Sequence, residues 1–143
     1  MAAHKIKLKR ADLAYFRRLA LDSDNEIEAY CIGTESENVT TIKEFIYPKN
    51  YKIQKPNAAE WSQEDVDYAV KRAKELNKKI IGSIHTHINY PPVMSPTDYR
   101  ESKKCGYKIL GICSTTPKDR KTVVYFWTLD SGLPCKIQYE EGE

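Results

Sequence analysis

The sequence predicts an α/β (α+β) fold, one mixed β-sheet flanked by helices. Three observations carry this. Apolar residues recur at helical spacing in two separate stretches. β-Branched and aromatic runs punctuated by Gly and Pro fill most of the remainder. The order of elements is helix, two strands, helix, strand, short helix, three strands. The 143 residues fit a single domain spanning 1–143. A chain of that length buries roughly 70% of its unfolded surface, so it can hold a core without covalent staples.

Taken in order, Lys5, Lys7 and Lys9 alternate with Ile6 and Leu8. This predicts a half-buried edge strand rather than a nucleic-acid arm. The net charge of +3 is too small to argue for nucleic acid. Leu13, Phe16, Leu19 and Ala20 place one apolar stripe on a helix over 11–21, which the polar run 22–25 stops. Residues 26–33 alternate and end at Gly33, predicting a strand; 34–40 form a turn, and 41–48 a second strand closed by Pro48. The polar stretch 49–61 reads as an irregular surface loop. Ser62 then caps a helix running to about Asn77, with Asp65 at the third helical position, close to a capping box. Trp61, just ahead of the cap, fits a hydrophobic staple.

The β-branched run 78–87 predicts a central strand, and 88–94 a loop. Ser95 and Pro96 open, and Gly106 closes, a short capped helix. Three strands follow at 107–115, 121–129 and 134–139, with Pro117 and Gly132 in the turns between them. Tyr107, Tyr125, Phe126 and Trp127 are assigned to packing of the sheet.

Hydrophobic residues make up 41% and charged residues 30% of the chain, an ordinary globular composition. Cys31, Cys105, Cys113 and Cys135 form no C-x-x-C pair and have no histidine at zinc-finger spacing. The N-terminus lacks the apolar core of a secretion signal. No apolar run approaches the ~18 residues that span a bilayer. The expectation is a cytoplasmic protein with reduced, mostly buried thiols and no membrane partner.

Chemistry concentrates in Gly82–Tyr99. In an extended chain His85 and His87 point to one side and Thr86 to the other. Two imidazoles side by side suit a tetrahedral metal ion, yet they also suit a strand terminus with no ligand. Ser95 and Asp98 likewise fit a helix N-cap with an acid in the first turn, which needs no catalysis. Together, however, an aspartate held by its own cap is a preorganised third ligand. Two His and one Asp leave a fourth position for water, as in catalytic zinc sites. Such a site still needs a carboxylate base and an oxyanion donor.

His85-x-His87, seven residues, Ser95, two residues and Asp98 resemble the H-x-H-x(7)-S-x-x-D motif of the JAMM (MPN-plus) metalloproteases, Gly82 and Thr86 included. The family also carries a glutamate seven residues before a glycine. Glu26 has that spacing to Gly33; Glu28, at five, fits less well. The family often has proline after the second histidine and glycine three after the glutamate, where this chain has Ile88 and Ala29. The resemblance covers about residues 5–140 and implies the MPN fold, a mixed curved sheet between helices. It implies one Zn²⁺ per chain held by His85, His87 and Asp98, with Glu26 as general base and Ser95 stabilising the tetrahedral intermediate. The implied activity is hydrolysis of the isopeptide bond between a ubiquitin or ubiquitin-like C-terminus and a lysine amine. Relatives acting on sulfur-carrier proteins or small amides, and non-catalytic MPN scaffolds, are the alternatives.

Overall fold

The structure, a computed structural model, describes residues 3–140. The ends of the expected 1–143 domain, residues 1–2 and 141–143, lie outside the described residues. Nine strands and three helices occur among the described residues: β1 Lys5–Leu8, α1 Arg10–Asp22, β2 Glu28–Glu35, β3 Val39–Ile46, β4 Tyr51–Lys55, β5 Ala58–Trp61, α2 Gln63–Glu75, β6 Lys79–Ile88, α3 Pro96–Lys104, β7 Ile109–Thr116, β8 Lys121–Thr128 and β9 Lys136–Tyr139. A 3₁₀ turn at Pro117–Asp119 joins β7 to β8.

Seven strands form one mixed sheet in the order β8-β7-β6-β2-β3-β1-β9. The pairs β6–β7, β1–β3 and β1–β9 are parallel, and the others antiparallel. β6 lies at the interior of the sheet, as its β-branched run predicts. β1 departs from expectation. It is not an edge: β9 pairs along its outer side, and Ile6 and Leu8 are fully buried.

Alternation along the strands assigns the two faces. Ala29, Cys31, Ile84, Cys113 and Phe126 turn to one face, where Leu13, Phe16 and Ala20 of α1 complete the main core. Burying a side chain such as Phe16 contributes roughly 1.5–3 kcal/mol. The other face carries two smaller clusters. Ile32 and Ile46 meet Trp61, Ala69 and Ala73 on the α2 side. Leu110 and Ile112 meet Met94 and Tyr99 on the α3 side. Trp61 shares its cluster with Val66, four positions into α2, as a staple requires. Phe126 is fully buried, but Tyr125 is half exposed, so only part of that aromatic run packs the sheet.

The segment 49–61 is a β-hairpin rather than a loop. Lys55 pairs with Ala58 across a two-residue turn at Pro56-Asn57, and Tyr51 with Trp61. A run of polar residues carries no alternating apolar signal, so its pairing is invisible to periodicity. The hairpin is tied to α2: the Asp65 carboxylate accepts the Lys49 and Asn50 N–H groups at 3.0 and 2.9 Å. The Ser62 side chain still caps the helix by accepting the Asp65 N–H at 3.2 Å. Asp65 thus leaves the reciprocal half of the capping box unmade.

Gly82 sits on β6 against Ile109 of β7. A Cβ added there would lie 2.3 Å from the Ile109 carbonyl oxygen. Gly82→Ala is therefore expected to force two interior strands apart, at the ~1–3 kcal/mol typical of overpacking. Thermal unfolding checks this, each kcal/mol lowering Tm by roughly 2–4 °C. An unchanged Tm would show that the strands separate freely at this point.

Candidate metal centre

His85 and His87 stand on the C-terminal part of β6, on the sheet face shared with α2 and α3. Glu28 of β2 pairs directly with His85. The ladder runs on beyond that pair: the Thr86 N–H donates to the Ile27 carbonyl at 3.1 Å, and the Thr86 hydroxyl accepts the Ile27 N–H at 3.0 Å. Thr86 thus faces away from its neighbours and fastens β6 to the start of β2. Glu28 lies opposite His85, and Glu26 lines the cavities that hold His85 and His87.

Asp98 arrives from the first turn of α3. Here the capping box is complete. Ser95 Oγ accepts the Asp98 N–H, and Asp98 Oδ2 accepts the Ser95 N–H, both at 3.0 Å. The cap and the site are therefore one device: the bonds that start the helix also fix the carboxylate.

His85 Nε2, His87 Nε2 and the two Asp98 oxygens form a tight group. His85 Nε2 and His87 Nε2 are 3.2 Å apart. His85 Nε2 is 3.3 Å from Asp98 Oδ1, and His87 Nε2 is 3.2 Å from Asp98 Oδ2. Tetrahedral bonds of ~2.0 Å imply ligand–ligand edges of about 3.3 Å. The edge between the two imidazoles matches that figure, each imidazole lies at a similar distance from its own Asp98 oxygen, and the group could hold a metal ion. His87 Nδ1 lies 2.9 Å from the Pro91 carbonyl, the geometry of a donated hydrogen bond that leaves the Nε2 lone pair facing the group. Asn89 makes this possible. Its left-handed φ of 60° turns the chain out of β6, and its N–H donates to Thr115.

Electrostatics agree with geometry. Burial opposes the Asp98 charge, but hydrogen bonds from His85 and His87 outweigh it and hold the carboxyl far below its usual range. Burial likewise disfavours charge on His85, yet Asp98, aided by Glu28 and Glu26, raises its pKa overall. Glu26 is raised, chiefly by burial, with His85 pulling the other way. Glu28 is raised to about 7, again chiefly by burial, with His85 and the Trp61 N–H opposing.

A ligand imidazole must be neutral, so a metal competes with the proton that Asp98 stabilises on His85. Zn²⁺ affinity is expected to rise with pH through and beyond the ordinary imidazole range, about pH 6 to 8. Calorimetric titrations in buffers of different ionisation enthalpy would count the proton released. A flat affinity with no proton release would remove His85 from the ligand set.

All five residues singled out from the sequence meet here. Glu26 precedes β2 instead of opening it. Its N–H donates to Lys55 at 2.8 Å, its carbonyl accepts from Gln54, and the Ala59 N–H faces its carboxylate. The hairpin read as a loop thus holds this residue. Glu26 lines both cavities at the group: one of about 260 Å³ with Glu28, His85 and Asp98, and one of about 800 Å³ with His87, Ser95, Asp98, Pro56 and Asn57. Sequence reasoning missed Pro91 and the hairpin tip; neither has a side-chain signature that a motif could register.

No protein-family model matches the chain, and no curated protein matches it significantly. Among solved structures it is similar to protein DSY2949 from Desulfitobacterium hafniense, at a TM-score of 0.69 and 19% identity, covering 95% of this chain and 93% of that one. A likeness at that identity speaks for the fold alone. No helix among the described residues is long and apolar enough to cross a membrane. Cys31 and Cys113 are buried free thiols, while Cys105 is exposed.

Proposed function

We propose that the chain is a zinc-dependent isopeptidase of the JAMM (MPN-plus) type, cleaving the amide between a ubiquitin or ubiquitin-like C-terminus and a lysine amine. The observation that carries the reading is the His85–His87–Asp98 group, in which the two Nε2 atoms are 3.2 Å apart and each lies 3.2–3.3 Å from one Asp98 oxygen, with Glu26 lining one cavity with His85 and Asp98. When bound, zinc supplies Lewis acidity and lowers the pKa of a water to about 7. Glu26, not part of the group, takes the proton of the attacking water and delivers it to the departing amine. Its raised pKa suits both halves of that task. Ser95 Oγ uses a lone pair for the Asp98 N–H, so its own O–H proton remains available to the oxyanion. The hairpin tip at Pro56 and Asn57 lines the larger cavity. The β4–β5 pair is separate from the main sheet, which supports an extended tail lying along it by strand addition.

The test is a panel of ubiquitin-like isopeptide conjugates, sulfur-carrier C-terminal adducts and small acyl amides, incubated with the zinc-loaded chain. Release of a ubiquitin-like protein with an intact C-terminus, lost on chelation, is the expected result. Cleavage of small amides alone would reassign the substrate. No cleavage of any member would favour a scaffold.

A further inference from the structure

A third cavity, of about 360 Å³, adjoins Glu28 between β2, β5 and α3. It shares Glu28, Ser83 and Ser102 with the smaller cavity at the centre, so the two adjoin. Three aromatic rings wall it. Tyr30 stacks on Trp61 with centroids 4.0 Å apart, and Tyr107 meets Tyr30 edge-on at 6.4 Å. The remaining charge is all of one sign: Glu28, Glu60 and Glu101 line the cavity, and no Lys, Arg or His does.

These carboxylates are not equivalent. Glu60 and Glu101 are exposed at the mouth and pair with exposed lysines, Lys52 at 3.4 Å and Lys104 at 4.0 Å; such surface pairs are weak and exchange readily. Glu28 lies deeper and has no Lys or Arg ion pair among the described residues. Trp61 is only 8% exposed, and its indole nitrogen lacks a hydrogen-bond partner. Its N–H faces the Glu28 carboxylate without closing a hydrogen bond. A carboxylate with no Lys or Arg ion pair among the described residues thus lines an aromatic-walled cavity. Aromatic faces beside a carboxylate are how proteins bind alkylammonium groups. The volume falls within the range of ligand pockets.

We propose that this cavity is a cation subsite that accepts a free lysine side chain of the bound polypeptide, its ammonium against Glu28 and its methylenes along Tyr30, Trp61 and Tyr107. This lysine is distinct from the acylated one. The role of the cavity as a substrate subsite rests on the hydrolase reading above; its binding of a lysine does not. The consequence for turnover is selection of substrates with an unmodified lysine beside the scissile bond, seen in KM rather than kcat.

The test is an NMR titration of the ¹⁵N-labelled full chain, zinc-free and zinc-loaded, with N-acetyl-lysine methylamide and with N-acetyl-norleucine methylamide. Norleucine keeps the hydrocarbon stem and lacks the charge. Expected are saturable shifts at the Trp61 indole and at the amides of Tyr30, Cys105 and Tyr107 with the lysine compound. Binding of the norleucine compound should be weaker by about tenfold or more, a difference of ~1.4 kcal/mol. Glu28→Gln should weaken lysine binding by a similar factor. Equal binding of the two compounds, no saturation, or shifts elsewhere would overturn the proposal. The two-compound comparison needs no variant, so a misfolded Glu28→Gln chain leaves it decisive. Binding seen only with zinc present would assign the amine to the metal and also overturn it. Lysine binding without peptide cleavage would sink the hydrolase reading and leave the subsite standing.

Discussion

Asp98→Ala is expected to leave the purified chain without zinc, whereas the parent carries about one ion per chain, as a three-ligand site implies. Asp98 faces both imidazoles, one through each carboxylate oxygen. Removing it also leaves His85 and His87 with their Nε2 atoms 3.2 Å apart and no anion between them. The affinity loss should exceed the ~10–100-fold typical of losing a group that merely orients a ligand. Alanine also removes one half of the α3 capping box, at a cost of roughly 1 kcal/mol. Asp98→Asn separates these effects, because an amide oxygen still accepts the Ser95 N–H while the charge is gone. Metal analysis beside thermal unfolding decides the matter. Zinc lost from a folded Asp98→Asn chain establishes the ligand; zinc retained at full stoichiometry in Asp98→Ala would return Asp98 to the helix cap.

Glu26→Gln is expected to keep zinc and lose turnover by ~10²–10⁴-fold, the range of a positioned general base. Glutamine is nearly isosteric, so the bonds that Lys55 and Gln54 make to the Glu26 backbone survive. The competing residue is Glu28, two positions on and paired with His85. Glu28→Gln should retain far more turnover on a substrate lacking a second lysine. If instead Glu28→Gln abolishes hydrolysis and Glu26→Gln does not, the roles of the two carboxylates are exchanged. The pH profile gives a second check. A base must be ionised, and burial raises the Glu26 pKa above its ordinary value. Activity in the parent therefore falls as pH drops through that raised pKa, and Glu26→Gln loses this acid limb.

Most of the fold was legible because its signals are local. Leu13, Phe16 and Ala20 lie one helical turn apart and are the residues of α1 that reach the core. Ser95 and Pro96 announce α3, and Ser95 with Asp98 makes the full cap. Glu26 was singled out by the family resemblance, through its spacing to Gly33. That glycine leaves no room for a side chain: a Cβ there would lie 1.8 Å from the Thr41 carbonyl oxygen of β3. The hairpin Tyr51–Trp61 was not legible, because its residues are mostly exposed and its pairing buries no apolar stripe. The interior position of β1 was missed for another reason. Its side-chain alternation reports only which face is buried; the backbone partner that covers its outer side comes from β9, about 130 residues away.

The sequence by itself determined which groups are the candidates for the chemistry: two imidazoles on one side of a strand, and an aspartate locked by its own serine. These depend on strand period and helix capping, which act over a few residues. Only the tertiary structure decided that these groups meet. The distance between His87 Nε2 and Asp98 is set by a loop anchored through Asn89 and Pro91, and Glu26 is brought to them by strand pairing and a hairpin that no local pattern shows. Whether Glu28 faces the metal centre or the adjoining aromatic cavity is likewise a property of packing. A carboxylate's charge is written in the sequence, but what it neutralises depends on which walls fold around it.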